Sequence, residues 1–361
     1  MRIAVISTPV FKLPLTGYGG LEALAWYQAK GLAERGHQVM LIAPDGSECP
    51  GVQIVPIGPA GFVNEEMAYS GFPEIKNGWQ VMRPAHAGYW QNLLNVDVVI
   101  DNSWQKMAMA LRREGALKAP ILAVCHAPVD TMYKELPPPG ILSFVCISND
   151  QKNHFEALFN RPARTAYNGI DLNFYKPLDV PRSNRFLFLA RFSYIKGAHI
   201  AIEACKKAGV GLDLIGDTKL TGEPEYLQSI IGMGDGKQIR FVGPASRGET
   251  VWWYSQAHCM LHPNKNFREP FGLAPVESLA CGTPVISWDY GAMRETMVDG
   301  LTGNLVRSEE QLVDCIKLQS KMSWPKEGRD ECREQASKFT IEAMCQRYEK
   351  LCREAISNGG W

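Results

Sequence analysis

The chain has 361 residues, 45% of them apolar, which is enough to bury two separate cores, so neither a disordered segment nor a fibrous repeat fits. Its 38 basic residues balance 38 acidic ones, so no net field draws it to nucleic acid or to anionic lipid. Ten cysteines are scattered without a C-x-x-C pair or a Cys/His cluster at zinc spacing, which argues against a disulfide framework or structural zinc and for reduced thiols.

The first segment, Ile3 to Ser7, is a continuous apolar run of the kind a buried parallel strand needs. No secretory h-region precedes it and no apolar run reaches transmembrane length, so a cytoplasmic protein is expected. The strand runs through Leu15-Thr16-Gly17-Tyr18-Gly19-Gly20-Leu21-Glu22 into a helical pattern, Ala23 to Arg35. Strand, glycine-rich turn and helix is a geometry for approaching phosphate, although the spacing is not G-x-G-x-x-G and glycines at a turn are often turn chemistry alone.

Further apolar strands are expected at His37 to Ala43, Val96 to Asp101, Pro120 to Cys125 and Ser143 to Ile147, alternating with helical stretches. That alternation predicts a parallel, doubly wound sheet. Between them Gly61 to Asn95 is irregular and carries Trp79, His86, Tyr89 and Trp90, which suit a satellite core or an acceptor cleft equally. His126 follows the strand ending at Cys125, where ligands of open α/β sheets bind, and Asp130 follows in a Pro-bearing loop. Asn168-Gly169-Ile170-Asp171 is a turn, and the Pro-bearing stretch Lys176 to Ser183 is read as a linker.

A second set of strand-helix units starts at Arg185 to Ala190 and delivers Arg191, then Lys196-Gly197 at the head of a helix over Ala198 to Lys207. A planar guanidinium and a point-charge ammonium one turn apart suit a diphosphate. Strands Leu212 to Gly216 and Ile239 to Pro244 follow, and Asn264 to Arg268 form a loop after Cys259 to Pro263.

The chain then reaches Arg268-Glu269-Pro270-Phe271-Gly272-Leu273-Ala274-Pro275-Val276-Glu277, a Pro/Gly loop leading into a short apolar helix that ends at Gly282, with a strand from Pro284 to Trp288 beyond. Glu269 and Glu277 bracket the loop-to-helix junction, on the order of 10 Å apart along one axis at 1.5 Å per helical residue. Between them the N–H groups of Gly272, Leu273 and Ala274 make a helix N-terminus, a ready anion site. A carboxylate on each side of a phosphate cradle points to a nucleotide sugar, whereas an isolated Glu277 would more commonly lie on a solvated helix face. Gly291 to Glu295 begin another helix, Gly300 to Val306 read as a hairpin-like strand, and Ile341 to Ile356 form the last helical pattern.

Glutamate, seven residues, glutamate around Pro-Phe-Gly resembles the retaining glycosyltransferases of family 4, the group 1 type with GT-B architecture. The Gly-Gly pair, Arg191 with Lys196-Gly197, the Asn-Gly-Ile-Asp turn and the strand-end glycine occur in the same order, so the resemblance spans nearly the whole chain and is strongest from Arg185 to Val306. It implies an α/β fold of two Rossmann-like doubly wound domains facing across a cleft. The expected division is an acceptor-side domain 1–177, a nucleotide-sugar-binding domain 178–340, and a terminal helix 341–361 crossing back onto the first domain.

The same resemblance implies roles for individual residues. Glu269 lies by the donor sugar, and Glu277 holds the ribose hydroxyls. Phe271, Gly272, Leu273 and Ala274 belong to the donor site, as does Gly216, where base and ribose lie. Gly19 and Gly20 let the backbone approach the diphosphate, His126 touches the donor sugar, and Arg191 and Lys196 neutralise the leaving diphosphate. Asp217 stands where the family often has a second glycine, and the loop 264–268 is longer than the minimal family form.

Catalysis of this kind chiefly stabilises a departing phosphate, which the two cations and the helix N-terminus supply. No Asp-x-Asp motif follows a strand, so no metal and no cofactor is expected. The expected function is retaining transfer of a sugar from a nucleoside-diphosphate sugar to an acceptor hydroxyl. The acceptor is a sugar, a lipid-linked molecule or a small molecule, with no nucleic-acid partner and peripheral membrane contact left open. A nucleotide-sugar epimerase of related build and a non-catalytic nucleotide-sugar-binding module are the alternatives.

Overall fold

The computed structural model describes residues 1–15, 17, 19–58, 90–103, 108–113, 115–133, 136–218 and 223–361. Trp79, His86 and Tyr89 of the irregular segment, and Thr16 and Tyr18 of the glycine-rich turn, lie outside the described residues. The chain divides into two compact units, Met1–Gly169 together with Ile341–Trp361, and Ile170–Thr340.

In the first unit seven described strands form one sheet: β1 (Arg2–Ile6), β2 (Gln38–Ala43), β3 (Gln53–Pro56), β4 (Val98–Asp101), β5 (Ile121–Cys125), β6 (Ser143–Cys146) and β7 (Ala163–Thr165), in the order β3-β2-β1-β4-β5-β6-β7. Every pairing is parallel. β5 is buried at all five positions, as expected of a strand covered on both faces. Helix α1 (Gly20–Glu34) buries Leu24, Ala25, Gln28, Ala29, Gly31 and Leu32, a stripe at helical spacing. It starts three residues before the predicted Ala23, so Gly20 is its first residue and only Gly19 remains in the turn.

The C-terminal helix Ile341–Asn358 packs on α1 so closely that a Cβ on Gly31 would lie 2.5 Å from Cys345 Sγ. Arg35 clamps the pair through Glu342 at 2.9 Å and Glu349 at 2.6 Å.

In the second unit six described strands, β8 (Phe186–Leu189), β9 (Leu212–Ile215), β10 (Ile239–Gly243), β11 (Cys259–His262), β12 (Val285–Trp288) and β13 (Gly303–Val306), stand in the order β10-β9-β8-β11-β12-β13. All pair in parallel. Phe186, Phe188, Ile202, Leu212, Leu214, Leu261, Ile286 and Leu312 are among the buried side chains that form its core.

Two expectations need correction. Gly300 to Val306 is not hairpin-like: β13 pairs with β12 in parallel, because the chain crosses back through the short helix Met293–Thr296 before the strand begins. The boundary between units falls at residue 169 rather than 177. Ile170 bridges Thr340, Leu178 N bonds Ser255 Oγ at 3.1 Å, and Tyr175 lies 6.5 Å from the Tyr254 ring, which ties this stretch to the second unit.

Candidate active site

The strand order of the second unit reverses between β8 and β11, and ligands of such sheets bind at that crevice, beyond the carboxyl ends of the strands. β8 leads into Arg191 and a 3₁₀ turn, Tyr194–Lys196; β11 ends at His262, where Pro263 removes the next backbone donor. The two strands are neighbours, so the loops that follow them meet.

Lys196 Nζ lies 2.8 Å from Glu269 Oε2. Asn264 Nδ2 donates to the same oxygen at 3.0 Å, and His262 Nε2 stands 3.6 Å from it. Glu269 is 8% exposed. Burial is the largest influence on its carboxyl and pushes it up, but Lys196, His262 and Arg191 together outweigh it and hold the group below the ordinary glutamate range. Burial pushes the His262 imidazole down to about 4 against the pull of Glu269, so it is neutral at pH 7 and adds positive charge beside Glu269 only in acid.

Arg191 is partly buried and, among the described residues, has no ion-pair partner; its Nε is buried without a hydrogen bond. A guanidinium donor buried without an acceptor is costly, and Arg182 Nε and Arg329 Nε are buried in the same way.

Glu269 is also fixed from behind. Ala292 N donates to Glu269 O at 2.9 Å, and a Cβ on Gly291, whose φ is +71°, would lie 2.3 Å from that same oxygen. Only glycine admits this backbone contact.

Three residues beyond Glu269, helix α2 of the site, Leu273–Ala280, begins at Gly272 with no side-chain cap. The N–H groups of Leu273 and Ala274 therefore have no helical partner, and Pro275 in the same turn has no N–H to lose. The helix ends where Gly282 N bonds Leu279 O at 2.9 Å and Thr283 N bonds Ser278 O at 3.0 Å.

One further turn along, Glu277 is partly buried rather than solvated, and Tyr254 OH donates to its Oε2 at 3.1 Å. Burial pushes its carboxyl up, against the opposing pull of the Tyr175 hydroxyl, Arg247 and the Tyr254 hydroxyl. The two glutamates are thus held by separate sets of partners.

The remaining predicted residues are distributed unevenly. Gly216 N bonds Gly243 O at 3.0 Å where β9 and β10 end. Phe271 is 2% exposed with its ring edge-on to Phe339 at 5.4 Å, so its side chain belongs to the core. In the first unit Gly19 occupies the N-cap of α1, Gly20 is exposed, and His126 Nε2 lies 2.9 Å from Asn102 Oδ1. Asn102 Nδ2 in turn donates to Gln28 Oε1 at 2.8 Å. Glu22, also in the first turn of α1, is buried, pushed up by that burial, and accepts from Thr8 Oγ1.

Residues the sequence reading missed include His262, Asn264, Gly291, Tyr254 and Asn102. The rule that located His126, a polar side chain just past a strand end, applies equally to His262, Asn264 and Asn102. Nothing local marks Gly291 or Tyr254, whose roles depend on distant partners. Among the described residues no group of three or more His, Cys, Asp and Glu side chains is placed to hold a metal ion. Among the same residues no helix is long and apolar enough to cross a membrane.

Comparison with known proteins gives the family and the fold. The family model "Glycosyl transferases group 1" matches residues 172–339, and "Glycosyltransferase Family 4" matches residues 18–174. The D-inositol 3-phosphate glycosyltransferase of Streptosporangium roseum is 29% identical over 169 residues, covering 39% of this chain and 37% of that protein. An uncharacterized glycosyltransferase of Methanocaldococcus jannaschii is 29% identical over 162 residues, 45% of this chain and 44% of that one. The match thus spans less than half the length of either relative.

Among solved structures, sucrose-phosphate synthase from Thermosynechococcus elongatus has a TM-score of 0.79 at 19% identity, covering 99% of each chain. Anabaena HepE in complex with UDP and glucose has a TM-score of 0.72 at 19% identity, covering 99% of this chain and 100% of that one. At such identities the likeness is one of fold. The protein has the two-unit α/β fold of the GT-B glycosyltransferases. Together the two family matches place the chain among the group 1, family 4 glycosyltransferases.

Proposed function

We propose that the protein transfers a sugar from a nucleoside-diphosphate sugar to an acceptor hydroxyl, with retention of anomeric configuration and without a metal. The observation that carries this reading is the Arg191 guanidinium, its Nε buried without a hydrogen bond, beside the Lys196–Glu269 pair and ahead of an uncapped helix N-terminus at Gly272. These are two cations and a set of backbone donors at a strand-order reversal, an arrangement suited to a diphosphate. Support also comes from HepE, whose structure contains UDP and glucose.

On this proposal the acceptor oxygen attacks the anomeric carbon as the bond from that carbon to the phosphate oxygen breaks, and the departing phosphate oxygen takes the acceptor proton. Arg191, Lys196 and the N–H groups of Leu273 and Ala274 stabilise the charge that develops on the phosphate. Glu269 accepts hydrogen bonds from the donor sugar, and Glu277 from the ribose hydroxyls. In the first unit His126, just past the end of β5, stands at the edge of its own sheet where ligands of such sheets bind.

A thermal-shift panel of uridine, guanosine and adenosine diphosphate sugars tests the donor class, since a ligand that binds only the folded state raises its melting point. Incubation with the stabilising donor then separates the activities. Slow hydrolysis, insensitive to chelator, supports transfer, whereas epimer formation supports the epimerase. Binding without any turnover, even when candidate acceptors are added, supports a binding module, and a panel with no shift rejects all three.

A further inference from the structure

We propose that Phe267, in the lengthened loop after β11, is a positioning residue that holds Lys196 for diphosphate binding, so the proposal rests on the donor-binding role given to Lys196 above. Lys196 Nζ stands 4.4 Å from the centroid of the Phe267 ring while it pairs with Glu269 at 2.8 Å. The ring face carries negative potential, so an ammonium is attracted to it, and more strongly where water is excluded. A lysine has four rotatable carbons and a spherical charge. One carboxylate fixes how far that charge lies from Glu269 but not its direction. The aromatic face supplies the second anchor.

The loop is built to keep the ring there. Phe267 N bonds Asn264 O at 3.2 Å and Lys265 N bonds Pro263 O at 2.9 Å, which folds the loop back on the end of β11. Lys265 is ion-paired with Glu309, tying the loop to the helix Glu309–Gln319. Asn264, from the same loop, donates to the Glu269 oxygen that Lys196 occupies. The turn carrying Lys196 is locked against this loop, since a Cβ on Gly197 would lie 2.6 Å from Pro263 O. A longer loop thus places an aromatic face beside a cation that is already charge-paired. Lys196 is ordered before any anion arrives, which removes a rotamer cost from binding.

The test uses the full chain with Phe267→Leu, Phe267→Tyr and Phe267→Trp. Leucine keeps an apolar body and loses the ring face; tyrosine and tryptophan keep the face. Two measurements are made. Carbon-13 lysine NMR, with Lys196 assigned by the signal lost in Lys196→Met, reads the ring contact through the upfield shift of its ε-CH₂ protons. Calorimetry with inorganic pyrophosphate, a probe independent of the base, reads anion binding.

The upfield signal is expected in wild type and in the Tyr and Trp variants and absent in Phe267→Leu. Pyrophosphate affinity is expected to fall roughly 2- to 30-fold in Phe267→Leu, the range a lost cation–π contact spans, and to be retained in the aromatic variants. A role in packing alone predicts the opposite order, with leucine tolerated and the bulkier tryptophan disruptive. An unshifted Lys196 signal in wild type overturns the contact. Equal affinity in wild type and Phe267→Leu overturns the positioning role. A shifted Lys196 signal with no pyrophosphate binding to wild type overturns the diphosphate reading, and the positioning role with it, while the contact itself stands.

Discussion

Lys196 Nζ and Glu269 Oε2 lie 2.8 Å apart although 73 positions separate them in the chain, and both side chains are largely buried. The pair has two consequences that mutation separates: it keeps a buried carboxylate charged, and it sets a cation at the reversal of the strand order. Lys196→Met leaves Glu269 buried without its counter-ion, which costs about 3 kcal/mol of stability. Adding Glu269→Gln removes the orphaned charge, so the double variant is expected to melt above Lys196→Met while remaining inactive. Urea unfolding with donor turnover checks both; additive losses in the double variant count against a coupled pair.

Arg191 is expected to behave differently because no protein acceptor holds its guanidinium among the described residues. Arg191→Met should weaken pyrophosphate binding roughly 10- to 100-fold, the worth of one hydrogen bond to a charged group, with little change in melting temperature. A large fall in stability with unchanged binding places Arg191 in the fold rather than the site.

The acid behaviour of His262 follows from its burial. Its folded pKa of about 4 lies below the ordinary histidine value of 6.5, so the neutral imidazole contributes stability that is fully present above pH 6.5 and is lost as pH falls toward 4. Across that window the loss approaches about 3 kcal/mol at the limiting slope. Melting curves of wild type and His262→Gln between pH 7 and pH 4 are expected to converge on acidification. Parallel curves contradict the assignment.

Glu269 adds a second window, lower down. Its folded pKa is depressed, so its contribution is present above the ordinary glutamate value and disappears as pH falls through the folded one. The stability difference between wild type and Glu269→Gln should shrink below about pH 4.5. At neutral pH the same substitution should remove most turnover and leave nucleoside-diphosphate affinity within a few-fold. Glu277→Gln should do the reverse, and equal effects of both on that affinity refute the division of roles.

Gly291 touches no predicted chemistry, yet Gly291→Ala sets a methyl 2.3 Å from Glu269 O. The clash and the positive φ together should cost about 1–3 kcal/mol and lower turnover by displacing Glu269. Thermal melts with kinetics decide this, and full activity at unchanged stability shows that the loop relaxes without moving the glutamate.

Much of the fold was readable from local pattern. The apolar runs at Ile3–Ile6 and Ile121–Cys125 mark strands covered on both faces, and their alternation with helical stretches implies a parallel sheet. Gly272 and Gly282 bracket a helix because turn chemistry and helix ends are local properties. Remote pairing leaves no such local mark. The partner of Gly303–Val306 is chosen by sheet register rather than by its own residues. Lys176 to Ser183 look like linker by composition, yet Leu178 N bonds Ser255 Oγ and Ser183 N bonds Gln256 O, which ties the stretch to the second unit. Phe271 sits inside the recognisable motif, yet packing against Phe339 turns its ring into the core.

By itself the sequence determined the strand-helix rhythm, the family pattern from Arg191 to Glu277 and the positions of the ionisable groups, because each is set by residue type at short spacing. Tertiary structure alone decided which of those groups are buried and which are paired. Glu269 acquires Lys196, Asn264 and His262, Glu277 acquires Tyr254, and Arg191 acquires no partner among the described residues. The physical reason is that burial and ion pairing act over a few ångströms in space, and the side chains that supply them come from strand ends far apart along the chain.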